Sequence, residues 1–148
     1  MAAEASTIHA SAVLVGAKAV LIRGPSGSGK SQLAFDLLRA GVLPFARLVG
    51  DDRVLVEVQA GRLLVRPAPA LAGMIEIRGL GVRQLDFEPV AAIGWVVDLG
   101  ADDAARLPGK SAGNANISGI ILPRLAIATG MAALPAVLAT LRTIPSGN

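Results

Sequence analysis

The 148-residue chain contains no cysteine and no tyrosine, one tryptophan, one histidine and three phenylalanines. Without cysteine there is no disulfide, no thiolate-ligated zinc and no thiol nucleophile. So few aromatic rings leave little on which to stack bases, and the net charge of +3 comes from scattered residues, not from a basic block. Nucleic acid is therefore not expected as a partner. Although 53% of the residues are hydrophobic, Gly, Pro and Arg interrupt every run short of the roughly 18 residues that a membrane-spanning helix needs. The first residues include Glu4 and lack the basic-then-apolar order of a secretory signal. The expectation is a cytoplasmic protein with no membrane partner, folded as one domain over 1–148 around a single core.

Lysine is also scarce, at three against eleven arginines, and one of the three stands in an unusual string. Gly24, Pro25, Ser26, Gly27, Ser28, Gly29, Lys30 and Ser31 match GxxxxGK[ST] between an apolar run at 19–22 and a helix-like run at 32–40. That strand–loop–helix setting is the one a nucleoside-polyphosphate loop requires. Glycines let backbone N–H groups turn inward on phosphates, and the helix N-terminus adds a favourable dipole. In this chemistry Lys30 reaches the β/γ-phosphates and the Ser31 hydroxyl ligates Mg²⁺.

Around the loop, 9–15 and 19–22 read as strands joined by a glycine-containing turn at 16–18. Leu33, Ala34, Leu37 and Leu38 form one helical face, with Gly41 as a C-terminal cap. A short strand at 47–49 leads into Asp51-Asp52, and alternating valines at 54, 56 and 58 turn at Ala60-Gly61 into a second hairpin. Residues 74–78 read as extended and 79–81 as a break. A buried strand spans 94–99, a last strand spans 117–122 and stops at Pro123, and a helix runs over 135–142 with Pro135 in its first turn. The expected class is α/β, a mixed sheet with β-hairpins around a phosphate-binding loop and helix, not the strict βαβ alternation of most nucleotide-binding folds.

The carboxylates Asp51 and Asp52 follow a strand, so they point to opposite faces. One is placed to activate a hydroxyl while the other orients it or pairs with a cation; alone, the same pair is a solvated turn. In 75–81, Ile-Glu-Ile-Arg-Gly-Leu-Gly, Glu76 and Arg78 share strand parity, so both face the phosphates or both form a surface ion pair. His9, the sole histidine, heads the first strand. Arg106 lies in the polar stretch 100–116.

Together these residues resemble the HPr kinase/phosphorylase family. The loop at 24–31, the string Leu-Val-Gly-Asp-Asp-Arg-Val at 48–54, the segment Glu-Ile-Arg-Gly-Leu-Gly at 76–81, His9 upstream and Arg106-Leu107 downstream each fit its pattern. The resemblance implies that family's phosphate-loop fold, akin to the phosphoenolpyruvate carboxykinase core. It also implies ATP and Mg²⁺ as cofactors and transfer of phosphate to a serine of the HPr phosphocarrier protein. Many members reverse the reaction by phosphorolysis. Carried over, Lys30 binds phosphate, Ser31 and Glu76 hold Mg²⁺, Asp52 is the base with Asp51 orienting it, and His9 and Arg106 support the reacting phosphates. The choice between Asp51 and Asp52 stays open.

Two departures qualify the likeness. His9 falls almost at the start, which implies a catalytic-domain-only form like those of alphaproteobacteria, without the N-terminal domain of longer members. After Pro123-Arg124 comes Leu-Ala-Ile-Ala-Thr-Gly instead of a Gly-Arg-Asn segment linked to dephosphorylation. Kinase activity is thus better supported than phosphorylase activity. Homo-oligomers occur in the family, but the short C-terminal region argues against its hexamer. The other readings of the phosphate loop are a small-molecule kinase and a non-catalytic nucleotide-binding regulator.

Overall fold

A computed structural model describes residues 5–43, 45–104 and 113–143. Eleven strands, two α-helices and a single 3-10 turn at Pro69–Leu71 are built from them. The strands are β1 (Ser6–Ile8), β2 (Ala10–Val15), β3 (Lys18–Arg23), β4 (Ala46–Gly50), β5 (Val54–Gln59), β6 (Arg62–Pro67), β7 (Met74–Ile77), β8 (Gly81–Gln84), β9 (Ala91–Leu99), β10 (Asn114–Ile117) and β11 (Ile120–Ile127); the helices are α1 (Lys30–Leu38) and α2 (Ala133–Arg142). Nine strands form one sheet in the order β1-β5-β6-β9-β3-β2-β4, with β11 on β9 and β10 on β11; β7 and β8 form a separate hairpin.

Strand direction sets the position of the site. β9 is parallel to β3, and β11 is parallel to β9. β4 is antiparallel to β2, which is antiparallel to β3, so β4 runs with β3 as well. Four strands therefore end along one edge, at Arg23, Gly50, Leu99 and Ile127. Ligands in open α/β sheets bind at such carboxyl ends, where loops are free to diverge.

Side-chain alternation splits the interior in two. Ala10, Ala12, Ala19 and Leu21 face a core shared with Val54, Val56, Leu63 and Val65 of the β5–β6 hairpin. Val13, Val20 and Ile22, one residue out of phase, pack against Leu33, Ala34 and Leu37 of α1 and Val137 of α2. The period of two in the strands and the 3,4-spacing in α1 are the patterns that drive this burial. At His9 the chain bends, leaving β1 on β5 and sending β2 to the far side of the sheet between β3 and β4.

The sheet is mixed and hairpin-rich, as the sequence implies. Three details differ. Arg39, not Gly41, closes α1, its N–H bonding back to Phe35 and Leu37 carbonyls. The expected single strand at 117–122 is instead the end of β10, a tight turn at Ser118 (φ 53°) and Gly119 (φ 87°), and the start of β11. Pro123 lies inside β11 and does not stop it. It pairs opposite Asn114 at the far end of the β10 register, three residues beyond the turn-closing pair Ile117–Ile120. In that alternation position 123 falls in a non-hydrogen-bonded pair, where a missing N–H costs no bond to β10.

Candidate active site

The phosphate loop leaves β3 at Gly24 and enters α1 at Lys30. Its backbone depends on glycine: Gly29, the residue capping α1, sits at φ 98°, a conformation that L-residues rarely hold. At Gly24 the constraint is space, because a Cβ there would lie 3.0 Å from the Leu99 carbonyl oxygen and 2.5 Å from Ser28 Oγ. The Ser28 hydroxyl is buried without a hydrogen-bond partner. Lys30 is buried, and its ammonium donates to the carbonyls of Gly24 (2.8 Å) and Pro25 (3.1 Å), so the cation lies within the loop.

Asp51 is the hub beside it. Only 4% exposed, its carboxylate accepts from the Ser11 hydroxyl at 2.5 Å, from Ser31 Oγ at 2.8 Å on both oxygens, and from the Glu76 backbone N–H at 3.1 Å. Three donors compensate what would otherwise be a costly buried charge. They also tie β2, α1 and β7 to the end of β4. Positions 31, 51 and 76, separate in sequence, thus meet at one point.

Asp52 points the other way. Its side chain is 64% exposed, and Oδ1 lies 2.9 Å from His9 Nε2. A carboxylate only accepts, so Nε2–H is the donor. Asp52 is held at φ 67°, and Arg53 N–H bonds to the Asp51 carbonyl at 2.7 Å across it. A non-glycine residue in a three-residue turn of this hand is strained, and such strain concentrates at functional positions. Ser11 Oγ accepts the Asp52 N–H at 3.5 Å, so one hydroxyl touches both members of the acid pair.

Glu76 reaches this group through its backbone, with its side chain exposed and Ile75 buried beneath it. β7 ends at Ile77, so Arg78 belongs to the turn into β8 and the shared strand parity with Glu76 does not extend to it. Arg106 lies outside the described residues.

Sequence reading did not single out Ser11, although a lone hydroxyl inside the apolar run 10–15 is the kind of signal that marks a buried polar partner. Nor did it find the charged group behind the loop. Arg23, immediately before Gly24, binds Asp98 at 2.7 and 2.9 Å. Arg124 binds Asp98 at 2.5 Å and forks onto Asp103 at 2.8 and 2.9 Å. Burial pushes the Asp98 carboxyl up, but the hydrogen bonds and charges of Arg23 and Arg124 outweigh it and hold the group below the usual carboxylate range. Hydrogen bonding to Asp103 and Asp98 raises Arg124 above its ordinary value. This bracing fixes the ends of β3, β9 and β11 relative to one another.

Among the described residues no cluster of three His, Cys, Asp or Glu side chains is arranged to cage a metal by itself. The donors that meet there, the Ser31 hydroxyl and the Asp51 carboxylate, are hard oxygens. Mg²⁺ is bound by one or two such groups plus substrate phosphates, so the set fits that ion. Among the described residues no helix is long and apolar enough to cross a membrane.

The mixed, β-hairpin-rich sheet brings the glycine-rich 24–31 loop and the acid pair 51–52 to one edge, across β2 from each other. Comparison with known proteins resolves the family. The family model for the HPr Serine kinase C-terminal domain matches residues 1–88, and the chain belongs to this family. It is 36% identical over 89 residues to an HPr kinase/phosphorylase of Mycoplasma mycoides, covering 60% of this chain and 26% of that protein. Against an HPr kinase/phosphorylase of Lactococcus lactis it is 43% identical over 97 residues, covering 65% and 29%. The chain thus spans about a quarter of the length of these relatives. The solved HPr(Ser) kinase/phosphatase of Coxiella burnetii superposes with a TM-score of 0.73 at 22% identity, covering 92% of this chain and 87% of that one, and shares the fold.

Proposed function

We propose that this chain is an ATP-dependent protein-serine kinase whose acceptor is an HPr-like phosphocarrier protein. The observation that carries the reading is the convergence on Asp51: the hydroxyl of the phosphate-loop serine and the backbone of Glu76 bond to the same buried carboxylate, whose neighbour Asp52 stands exposed. Family membership supplies the acceptor class.

In this reading the loop N–H groups and Lys30 bind the triphosphate tail of ATP. Ser31 and Glu76 hold Mg²⁺, with Asp51 fixing the serine hydroxyl. The ion supplies positive charge against the phosphate oxygens. Asp51 has its oxygens taken by three donors, whereas Asp52 is exposed and oriented by His9. Asp52 therefore takes the proton from the acceptor serine as its Oγ bonds to the γ-phosphorus and the bond to ADP breaks. General-base help of this kind is worth on the order of 10²–10⁴ in rate. In the reverse direction the same carboxyl returns the proton to the serine while inorganic phosphate takes the phosphoryl group, giving pyrophosphate. Arg106 is assigned a supporting role on the reacting phosphates. A cytoplasmic setting accords with this partner.

A small-molecule kinase is not favoured, because β2–β3 and β5–β6 are antiparallel hairpins inside the main sheet. Incubation of purified protein with Mg²⁺-ATP and candidate carriers, read by mass spectrometry, is the test. A phosphoserine on an HPr-like carrier is expected, and subsequent phosphate addition reports reversal. Protein that binds ATP yet labels no such carrier overturns the assignment.

A further inference from the structure

The β7–β8 hairpin stands apart from the main sheet, and its two strands are unequally attached. β7 is anchored: Ile75 is buried, Ile77 packs into the same core as α1, and the Glu76 N–H donates to Asp51 at 3.1 Å. β8 is exposed along its whole length. Because the Glu76 N–H is spent on Asp51, it does not bond to β8. The register pair Glu76–Val82 is therefore a non-hydrogen-bonded one, the kind in which facing side chains lie closest. Val82 thus stands beside Glu76 on one face of the ribbon, next to the residue that meets the acid pair.

The surface that β8 exposes is mixed in a particular way. Leu80 is 60% and Val82 65% exposed, and the exposed Arg78 and Arg83 bracket them in the chain. Isolated apolar side chains on a surface are ordinary, but two within three residues, rimmed by cations, have the make-up of a protein contact. Arg83, opposite Ile75 in the register, leaves β8 on the other face, so the ribbon carries apolar surface on one face and a cation on the other. These cations are uncommitted. Among the described residues Arg78, Arg83 and the exposed Arg53, which follows Asp52, join none of the ion pairs. Arg23, Arg47, Arg66 and Arg124 each pair with a carboxylate of their own chain.

We infer, on the protein-kinase reading of this site, that the β7–β8 hairpin is the docking surface for the acceptor protein. Leu80 and Val82 seat an apolar patch next to its reacting hydroxyl, and Arg53, Arg78 and Arg83 take carboxylates around that patch. Continuity identifies the occupant. A protein that brings a hydroxyl to the exposed Asp52 carboxylate covers the ground around it, and the hairpin, tied to Asp51 through Glu76, is part of that ground. Charge sets the partner's sign, since arginines without carboxylates in their own chain are complemented by acidic groups on another. Contacts of this kind steer encounter and weaken as salt rises.

Steady-state transfer to an HPr-like carrier that the wild-type protein labels, at saturating Mg²⁺-ATP, tests the surface with two variants that leave Glu76 and the phosphate loop untouched. The double change Leu80→Ser with Val82→Ser removes the apolar pair without placing a charge beside Glu76, and Arg83→Glu reverses one cation. Each is expected to raise KM for the carrier at least about tenfold, the scale of losing an interface anchor. The kcat at saturating carrier, and ATP binding by calorimetry, should stay near wild type. Wild-type KM should also climb with salt, and Arg83→Glu should flatten that climb. Unchanged KM in both variants overturns the docking assignment and leaves the kinase reading standing. A fall in kcat at unchanged KM overturns it too, because the hairpin would then act through Glu76. Wild-type protein that binds ATP yet labels no carrier removes the kinase reading and, with it, the docking surface.

Discussion

His9 Nε2 and Asp52 Oδ1 are 2.9 Å apart across 43 residues of sequence, joining the bend between β1 and β2 to the strained turn after β4. The contact orients the exposed carboxylate while its neighbour Asp51 is engaged elsewhere. Asp52→Asn is the informative change. Asparagine tolerates the left-handed backbone and still accepts from the imidazole, so only the proton-accepting capacity is lost. ATP binding is expected to persist, with phosphoryl transfer falling at least ~10². Single-turnover transfer at wild-type rate would remove Asp52 from the role of base.

Ser11 is completely buried and bonds to the Asp51 carboxylate and the Asp52 N–H. Ser11→Ala leaves two polar groups short of a partner in the interior, which costs about 1–3 kcal/mol. Thermal unfolding should show that loss. Ser11→Thr, which keeps the hydroxyl, should recover part of the activity that alanine loses. Equal behaviour of alanine and threonine in both measurements would show that the hydroxyl bond is immaterial.

Much of this site was legible because its parts are local. The glycine spacing at 24–29, the turn at Ala60-Gly61 and the acid pair are each written within a few residues, and each appears where the sequence puts it. What sequence does not carry is which strand pairs with which. The bend at His9 places β1 on β5 and β2 between β3 and β4, and only that long-range choice brings His9 to Asp52 and Ser11 to Asp51. Pro123 misleads for a related reason. Its effect depends on whether its nitrogen faces a partner strand, and the hairpin register decides that.

Lys30 donates to two carbonyls of its own loop, so its ammonium already lies in the concavity that the glycines form. Lys30→Ala is expected to abolish measurable tripolyphosphate binding and to lower transfer by about 10²–10³, the effect of deleting one preorganised donor at developing charge. A variant that binds tripolyphosphate normally would show that the phosphates are held by some other group.

The brace behind the loop makes a prediction about acid. Asp98 has a carboxyl held low in the folded protein, so its contribution to stability is fully present above the unfolded value of about 4 and disappears as pH falls through the depressed folded value. Asp98→Asn should therefore destabilise the protein at neutral pH, by about 2 kcal/mol for a pair lying between exposed and buried extremes. As pH falls through that depressed value the gap between variant and wild type should narrow, because protonation removes the same charge. Denaturant unfolding of both proteins at neutral and acid pH measures that gap. A gap that stays constant across the range would mean that Arg23 and Arg124 act on Asp98 through shape alone and not through charge.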